Sequence, residues 1–186
     1  MQIEMTTLSG VQLLTPRRFG DARGWFVETW SRKTLLAHGV DLDFVQDNHS
    51  LSGRRGTLRG MHFQAPPYAQ DKLVRCTRGA IFDVAVDIRR GSSTYGHWTG
   101  VTLCAEKGQQ LLVPKGFLHG FQTLTDDTEV QYKCTDYYVP ASEGCVHWSS
   151  LGIDWPIDGE PVVSDKDNAA AGFDAFESPF TLETGQ

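Results

Sequence analysis

The stretch AQDKLVRCTRGAIFDVAVDIRRGS, residues 69–92, decides the fold. Along 82–88 apolar and polar side chains alternate, which is the period of a strand with one buried face. A second short strand is predicted at 72–77, and the turn-forming Gly79 lies between the two. The stretch therefore predicts short strands that are joined by tight turns.

Similar strands recur on both sides of this stretch. The sequence contains 19 Gly and 8 Pro with no repeat period, which is typical of a protein built from many short strands. The predicted strands are 11–14, 25–30, 44–46, 57–64, 72–77, 82–88, 99–103, 110–113, 117–124 and 129–135. Their number and spacing predict an all-β fold, either an antiparallel sandwich or a jelly roll.

Helix is predicted at only two places. Residues 31–38 can form a short helix that begins after the N-cap Ser31 and ends at Gly39. Residues 164–171 can form another, capped by Ser164. The fold is thus expected to be a sheet structure with a few short helices.

Composition favours one globular domain over the whole chain, residues 1–186, with a frayed tail from about 179 to 186. The net charge is -6 and no basic run occurs, so the chain lacks the electrostatic character of a nucleic-acid-binding protein. No stretch approaches the roughly 20 apolar residues of a membrane span. The first residues, MQIEMTTLSG, lack the pattern of a secretion signal. We therefore expect a soluble, cytoplasmic protein that binds neither nucleic acid nor membrane.

The four cysteines are Cys76, Cys104, Cys134 and Cys145. They are widely spaced and form no CxxC pair, so neither a zinc cage nor a thioredoxin-like site is indicated. In a protein without a secretion signal, such cysteines are expected to be reduced core thiols.

Two histidines lie in recognisable half-motifs. Residues 56–62 have the form G-x5-H, and residues 114–119 read PKGFLH, the form PxGxxH. Both resemble the half-motifs of the cupin superfamily, whose jelly rolls often hold a metal. The first motif normally continues with a second His and a Glu, but here Phe63 and Gln64 follow. Because two of the usual ligands are missing, no metal is expected.

The residues alone leave the role of His62 and Tyr132 open. Either one can be a hydrogen-bonded core residue, or the histidine can act as a base and the tyrosine as an acid. Strict alternation along 129–135 points the Tyr132 ring inward, and Lys72 and Arg59 lie on nearby predicted strands. Without further information, the sequence supports a jelly roll with a histidine-containing interior that suits an anion.

A longer set of segments resembles the dTDP-4-dehydrorhamnose 3,5-epimerase family. The resemblance is collinear from about residue 11 to residue 167, and the ordered set is highly specific. The matching segments are DARGWFVETW (21–30), FVQDNHS (44–50), TLRGMHFQ (57–64), AQDKLVRCTRGAIFDVAVDIRRGS (69–92), VPKGFLHGF (113–121), VQYKCTDYY (130–138) and VSDKD (163–167).

The resemblance implies a cupin-like double-stranded β-helix without metal or cofactor. Its implied activity is epimerisation of dTDP-4-dehydro-6-deoxy-D-glucose at C3 and C5, in dTDP-L-rhamnose biosynthesis. It also implies that His62 is the general base, that Asp167 orients and charges its imidazole, and that Tyr132 is the acid on the opposite face of the sugar. Lys72 would lie near the C4 carbonyl oxygen and stabilise the enolate.

The resemblance further implies a set of substrate-binding residues and a homodimer. The binding set is Arg23, Glu28, Gln46, Asp47, Asn48, Arg59, His119, Glu143 and Lys166. In the dimer, the N-terminal segment with Arg23 and Glu28 would contribute to the neighbour's site. Arg59 and His62 would point to opposite faces of a regular strand, so we expect a β-bulge at Gly60.

Three other functions remain compatible with these residues. The first is an epimerase that inverts only C3 or only C5 of another dTDP-4-keto-deoxysugar. The second is a metal-dependent cupin oxygenase or isomerase. The third is a noncatalytic sugar-binding cupin, in which His62 and Tyr132 are core residues only.

Overall fold

The computed structural model describes residues 1–182, which form thirteen strands and two short helices. The strands are β1 (Gln2–Met5), β2 (Gln12–Thr15), β3 (Arg18–Asp21), β4 (Gly24–Val27), β5 (Gln46–Ser52), β6 (Leu58–Gln64), β7 (Lys72–Arg78), β8 (Ala80–Asp87), β9 (Trp98–Cys104), β10 (Gln110–Val113), β11 (Phe117–Thr123), β12 (Thr128–Cys134) and β13 (Glu143–Cys145). The helices are α1 (Arg32–Leu36) and α2 (Asp165–Asn168), and three 3-10 turns cover Pro140–Ser142, Trp148–Leu151 and Phe173–Ala175. Within residues 1–182, no helix is both long and apolar enough to cross a membrane.

Two antiparallel sheets form the body of the jelly roll, as the sequence predicts. One sheet has six strands in the order β1-β2-β10-β7-β12-β5, and the other has five in the order β13-β6-β11-β8-β9. Within residues 1–182, strands β3 and β4 pair only with each other, in a separate hairpin. Apolar residues from both sheets pack together, among them Val74 and Leu111 of the first and Ile81 and Phe121 of the second.

The predicted strands correspond closely to the observed ones, with three kinds of error. The strand predicted at 44–46 runs instead over Gln46–Ser52. It is an edge strand with polar residues on both faces, so hydrophobic alternation gives no signal along it. Residues 28–30 are not in a strand, and strands β1, β3 and β13 were not predicted. Two of these, β1 and β13, are short edge strands that lack a clear apolar face.

The predicted bulge on β6 is present and reorients the strand. His62 pairs with His119 on β11, and Arg59 pairs with Phe121, so two residues of β6 lie opposite the single Gly120. Gly60 has a φ of 135°, and a Cβ atom there would lie 2.7 Å from the Gly120 Cα. Glycine is thus required at this position, and the irregularity lets Arg59 and His62 face the same cavity.

Both helix N-caps are confirmed, but the prediction for the tail is wrong where the structure tests it. The Ser31 and Ser164 hydroxyls accept hydrogen bonds from the amides of Thr34 and Asp167. The C-terminal segment is not frayed through residue 181, because Phe180 is buried and its carbonyl accepts from the Arg90 amide at 3.0 Å. The rest of the predicted tail, 183–186, lies outside the described residues.

Candidate active site

A cavity of about 460 Å³ opens between the two sheets. The five-stranded sheet supplies one wall through β6 and β11, and the six-stranded sheet supplies the other through β7 and β12. The cavity is lined by Ser50, Thr57, Leu58, Arg59, His62, Lys72, His119, Phe121, Tyr132, Glu143, Val162, Val163, Ser164, Lys166 and Asp167. It therefore contains all four predicted catalytic residues and four of the nine predicted binding residues.

His62 and Asp167 form a close pair at one wall. The His62 Nε2 atom lies 2.6 Å from Asp167 Oδ1, and the Gly60 amide donates to Asp167 Oδ2 at 3.3 Å. Burial of Asp167 opposes its ionisation, but the hydrogen bond from His62, the charge of that ring and the Gly60 amide hold its pKa below the usual range. The ionised carboxylate can only accept, so Nε2 donates the hydrogen in this bond and Nδ1 is the ring nitrogen that Asp167 does not occupy.

Asp167 reaches His62 because of how the chain folds after residue 163. Ser164 caps α2 by accepting from the Asp167 amide at 3.1 Å, which places Asp167 in the first turn. The Leu58 amide at the start of β6 donates to the Val162 carbonyl at 2.9 Å and ties the segment before the helix to this strand. A capped single-turn helix thus delivers a buried carboxylate to the side of the imidazole.

Lys72 and Tyr132 come from the opposite sheet. Burial lowers the pKa of Lys72, although the surrounding Cys134, Asp83 and Glu143 favour its charged form. Burial also raises the pKa of Tyr132, which keeps its phenol protonated well above neutral pH. The cavity therefore has a histidine paired with a carboxylate on one wall and an amine and a phenol on the other.

His119 lies next to His62 on the neighbouring strand and has its own carboxylate. Its Nε2 atom is 2.8 Å from Asp83 Oδ1, and both side chains are almost completely buried. Asp83 Oδ2 has no hydrogen-bond partner within residues 1–182. Each histidine of the two half-motifs is thus bound to a separate aspartate.

A second group of polar residues continues the cavity toward β5. The Glu143 carboxylate accepts from the Tyr138 hydroxyl at 2.8 Å and pairs with the Lys166 ammonium. Burial opposes ionisation of Glu143, but these two donors hold its pKa below the usual range. Gln46 and Asn48 line this extension of about 380 Å³, together with Glu143 and Tyr138. The predicted binding residues Gln46, Asn48, Glu143 and Lys166 are therefore brought together.

Gln64 holds the segment that carries Tyr138. Its amide nitrogen donates to the carbonyls of Tyr68 and Tyr137, and its oxygen accepts from the Val139 amide at 2.8 Å. This residue stands where the cupin motif would have continued with a metal ligand. Here it fixes a loop through three backbone hydrogen bonds.

Three of the predicted binding residues lie outside the cavity of this chain. Asp47 lies on the other face of β5 from Asn48 and pairs with Lys133 at 2.8 Å. Strand alternation places it there. Arg23 is 90% exposed at the hairpin and pairs with Asp21, and Glu28 lies near Thr34.

Sequence reasoning missed two residues beside the catalytic set. Tyr138 is not among the predicted residues, although the aromatic pair Tyr137 and Tyr138, shortly after β12, is a signal that could have identified it. Cys145 was predicted to be a core thiol, but it pairs with His62 across β13 and β6, and its Sγ lies 3.9 Å from Asp167 Oδ1. Burial and the Asp167 charge raise the pKa of this thiol to about 11, so it is protonated. All four cysteines are free thiols, as predicted.

Comparisons with known proteins identify relatives along nearly the whole chain. The family model described as dTDP-4-dehydrorhamnose 3,5-epimerase matches residues 5–175. The dTDP-4-dehydrorhamnose 3,5-epimerase of Escherichia coli is 50% identical over 90% of this chain and 91% of its own length.

Two solved structures have the same fold. The dTDP-4-dehydrorhamnose 3,5-epimerase of Bacillus anthracis, solved with TDP and PPi bound, is 46% identical, with a TM-score of 0.89 over 92% of this chain and 98% of that one. A dTDP-6-deoxy-D-glucose-3,5-epimerase of Legionella pneumophila, in complex with dTDP-4-keto-L-rhamnose, is 42% identical, with a TM-score of 0.90 over 95% of this chain and 94% of that one.

Proposed function

The chain belongs to the dTDP-4-dehydrorhamnose 3,5-epimerase family, and from this premise we propose how its residues carry out the reaction. It is an epimerase that converts dTDP-4-dehydro-6-deoxy-D-glucose to dTDP-4-dehydro-L-rhamnose. The protons at C3 and C5 both flank the C4 ketone, so each can leave if the resulting enolate is stabilised. The observation that carries the proposal is that the His62–Asp167 pair faces Tyr132 and Lys72 across one cavity.

His62 removes the protons through Nδ1. Asp167 holds the hydrogen on Nε2 and stabilises the imidazolium that forms when the base accepts a proton. The geometry favours this role because the carboxylate is buried and ionised, while the ring is 28% exposed toward the cavity. Asp167 thus acts as a positioning residue for the base.

Lys72 stabilises the negative charge that develops on the C4 oxygen. The charge grows only as the proton leaves, so an ammonium at this point lowers the transition state more than the ground state. Partial burial strengthens the interaction, because solvent does not screen it. The lowered pKa of Lys72 also makes it a better proton donor to the enolate oxygen.

Tyr132 returns a proton to the other face of the sugar. Inversion requires that the acid and the base stand on opposite sides of the carbon, and these two residues come from different sheets. The raised pKa of the phenol keeps the proton available. After each inversion, exchange with solvent resets the acid and the base.

The remaining polar residues bind the nucleotide and the sugar. Arg59 is held at the cavity by bonds to Ser52 Oγ and the Leu51 carbonyl, both at 3.1 Å, and its planar fork suits a diphosphate. We assign substrate contacts also to Gln46, Asn48, His119, Glu143 and Lys166, which line the same space.

A homodimer completes the site with Arg23 and Glu28. The β3–β4 hairpin presents Phe19, Trp25 and Phe26 with 52%, 61% and 70% exposure, an apolar surface that a second copy of the chain would cover. Arg23 lies at the tip of this hairpin, where its guanidinium is 90% exposed and can exchange its pairing with Asp21 for a neighbouring cavity. The hairpin then delivers the cation to the partner's diphosphate site.

Complementation between two inactive variants tests the shared site. When Arg23→Ala and His62→Asn chains are mixed after unfolding and refolded together, a heterodimer contains one site with both native residues. Recovery of epimerase activity above that of either homodimer is expected. A mixture no more active than either parent would contradict the contribution of Arg23 to the neighbour's site. A monomer in analytical ultracentrifugation would contradict the dimer.

Epimerisation in deuterated water tests the reaction itself. We expect NMR of the product from dTDP-4-dehydro-6-deoxy-D-glucose to show deuterium at both C3 and C5. Label at only one carbon would identify a single-centre epimerase. We also propose that the reaction takes place in the cytoplasm, a reducing compartment that suits the four free thiols.

A further inference from the structure

Three potential metal ligands meet beside the catalytic pair. His62, Cys145 and Asp167 each offer one ligand atom, and these atoms all lie within 4.8 Å of one another. They come from three different elements: His62 from β6, Cys145 from β13 and Asp167 from α2. The strands fix two of the ligands through the direct pairing of Cys145 with His62, and the capped helix fixes the third.

We propose that this cluster is an inhibitory binding site for a thiophilic divalent cation such as Zn²⁺. The donor set of one nitrogen, one sulfur and one oxygen is suited to zinc, and water from the cavity can supply the fourth ligand. Magnesium and calcium prefer oxygen ligands only, so they are not expected to bind here.

The present distances need only small side-chain movements to accept the ion. Bonds of about 2.0–2.3 Å in a tetrahedron place ligand atoms about 3.3–3.6 Å apart. Cys145 Sγ and Asp167 Oδ1 are already 3.9 Å apart, and the 2.6 Å gap between His62 Nε2 and Asp167 Oδ1 must widen. The ion enters from the cavity that His62 and Asp167 line.

Proton balance explains why the ion would inhibit the enzyme. The Cys145 thiol loses its proton to solvent and binds as thiolate, while the His62 hydrogen moves from Nε2 to Nδ1 as Nε2 takes the metal. Thiolate and carboxylate together neutralise the charge of the ion. Both ring nitrogens are then occupied, so no base remains. This last step rests on the proposed role of His62 as the base.

The binding test uses cobalt as a spectroscopic probe of the site. Co²⁺ added to the intact enzyme should give a sulfur-to-metal charge-transfer band, and Cys145→Ser should lose it. Cys104→Ser is the matched control, because Cys104 is also a partly exposed thiol but does not belong to the cluster of His62, Cys145 and Asp167, and the band should persist in it. A band of equal strength in the Cys145→Ser enzyme would overturn the proposal.

The activity test compares zinc inhibition in the same proteins. Epimerisation without metal, in the presence of EDTA, tests the proposed function separately. Added ZnCl₂ should then inhibit the wild type and the Cys104→Ser enzyme, with reversal by EDTA, whereas MgCl₂ should not. The Cys145→Ser enzyme should keep its metal-free rate and need roughly 10-fold to 100-fold more zinc for the same inhibition.

Two results in the activity test would contradict the site. Equal zinc sensitivity of the wild type and the Cys145→Ser enzyme would place the inhibitory ion elsewhere. A rise in activity with zinc would show that the metal does not block the base. If Cys145→Ser does not fold, Cys145→Ala serves in both tests, since it also removes the sulfur ligand.

Discussion

The two histidine–aspartate pairs differ in burial and in how their carboxylates are satisfied. The His62 side chain is 28% exposed, while that of His119 is only 8% exposed. Asp167 accepts from both His62 and the Gly60 amide, but Asp83 leaves one buried oxygen without a partner within residues 1–182. The two imidazoles face each other across paired strands, yet their surroundings suit different tasks.

This difference indicates which histidine is the base. A base needs a ring nitrogen that substrate can reach and a carboxylate that remains ionised while the ring gains a proton. His62 and Asp167 meet both conditions. The His119–Asp83 pair lies deeper, between β11 and β8, where it holds a cavity wall in place and presents one ring to the substrate. We therefore propose that the same residue types serve chemistry in the His62–Asp167 pair and hold the cavity wall in the His119–Asp83 pair.

The largest expected effect is that of His62→Asn. Asparagine replaces a half-buried imidazole with a smaller polar side chain, so the fold and dTDP binding should be kept, while kcat falls by about 10³-fold to 10⁴-fold through loss of the base. Steady-state kinetics measures the fall in kcat, and calorimetry with dTDP measures whether nucleotide binding is kept. His119→Asn is the matched control, and a larger loss of kcat in that variant would reverse the assignment.

Asp167→Asn should reduce kcat by about 100-fold, less than removal of the base. The amide oxygen can still accept from Nε2, so the tautomer is kept, but the negative charge that stabilises the imidazolium is lost. The KM for the dTDP-sugar should change little. An unchanged kcat would show that Asp167 is not needed to charge the ring.

Asp83→Asn should affect stability more than catalysis. The new amide group would bury donors beside a site where Asp83 Oδ2 already lacks a partner, which costs about 1–3 kcal/mol. For a chain of this size that corresponds to a Tm lower by about 2–4 °C for each kcal/mol. Thermal unfolding of the Asp83→Asn and Asp167→Asn enzymes, measured under the same conditions, compares the two losses of stability. A stable Asp83→Asn enzyme with a kcat as low as that of Asp167→Asn would mean that both pairs serve catalysis.

The sequence predicts only part of the difference between the His62–Asp167 and His119–Asp83 pairs. Alternation along 82–88 and the two half-motifs place both histidines on strands, and the position of Gly60 predicts the bulge that turns Arg59 and His62 to one side. Local pattern could not show that Asp83 pairs with His119, since a polar residue on an alternating strand normally faces solvent. Its burial follows from the way β8 is covered in the folded sheet.

Local sequence pattern also could not show which side chains lie together at the edges of the site. Asp47 was predicted from a matched segment, but only the pairing of β5 with β12 shows which of its residues face the cavity. Cys145 carries no signal in sequence, because its closeness to Asp167 arises from the meeting of β13 and α2. Residues separated by long stretches of chain become neighbours through topology, which local periodicity does not encode.

The smallest expected effect is a change in stability at Lys72, whose charged form is favoured by Cys134, Asp83 and Glu143. Burial lowers the pKa of Lys72, so its charge destabilises the folded state wherever the amine is protonated, including neutral pH. Lys72→Met should therefore raise the free energy of unfolding by about 1 kcal/mol, or the Tm by about 2–4 °C. The gain should shrink as pH rises into the usual lysine range, where both folded and unfolded chains lose the proton. Thermal melts from neutral to alkaline pH measure it, and a loss of stability at neutral pH would show that attraction to Asp83 and its neighbours outweighs burial.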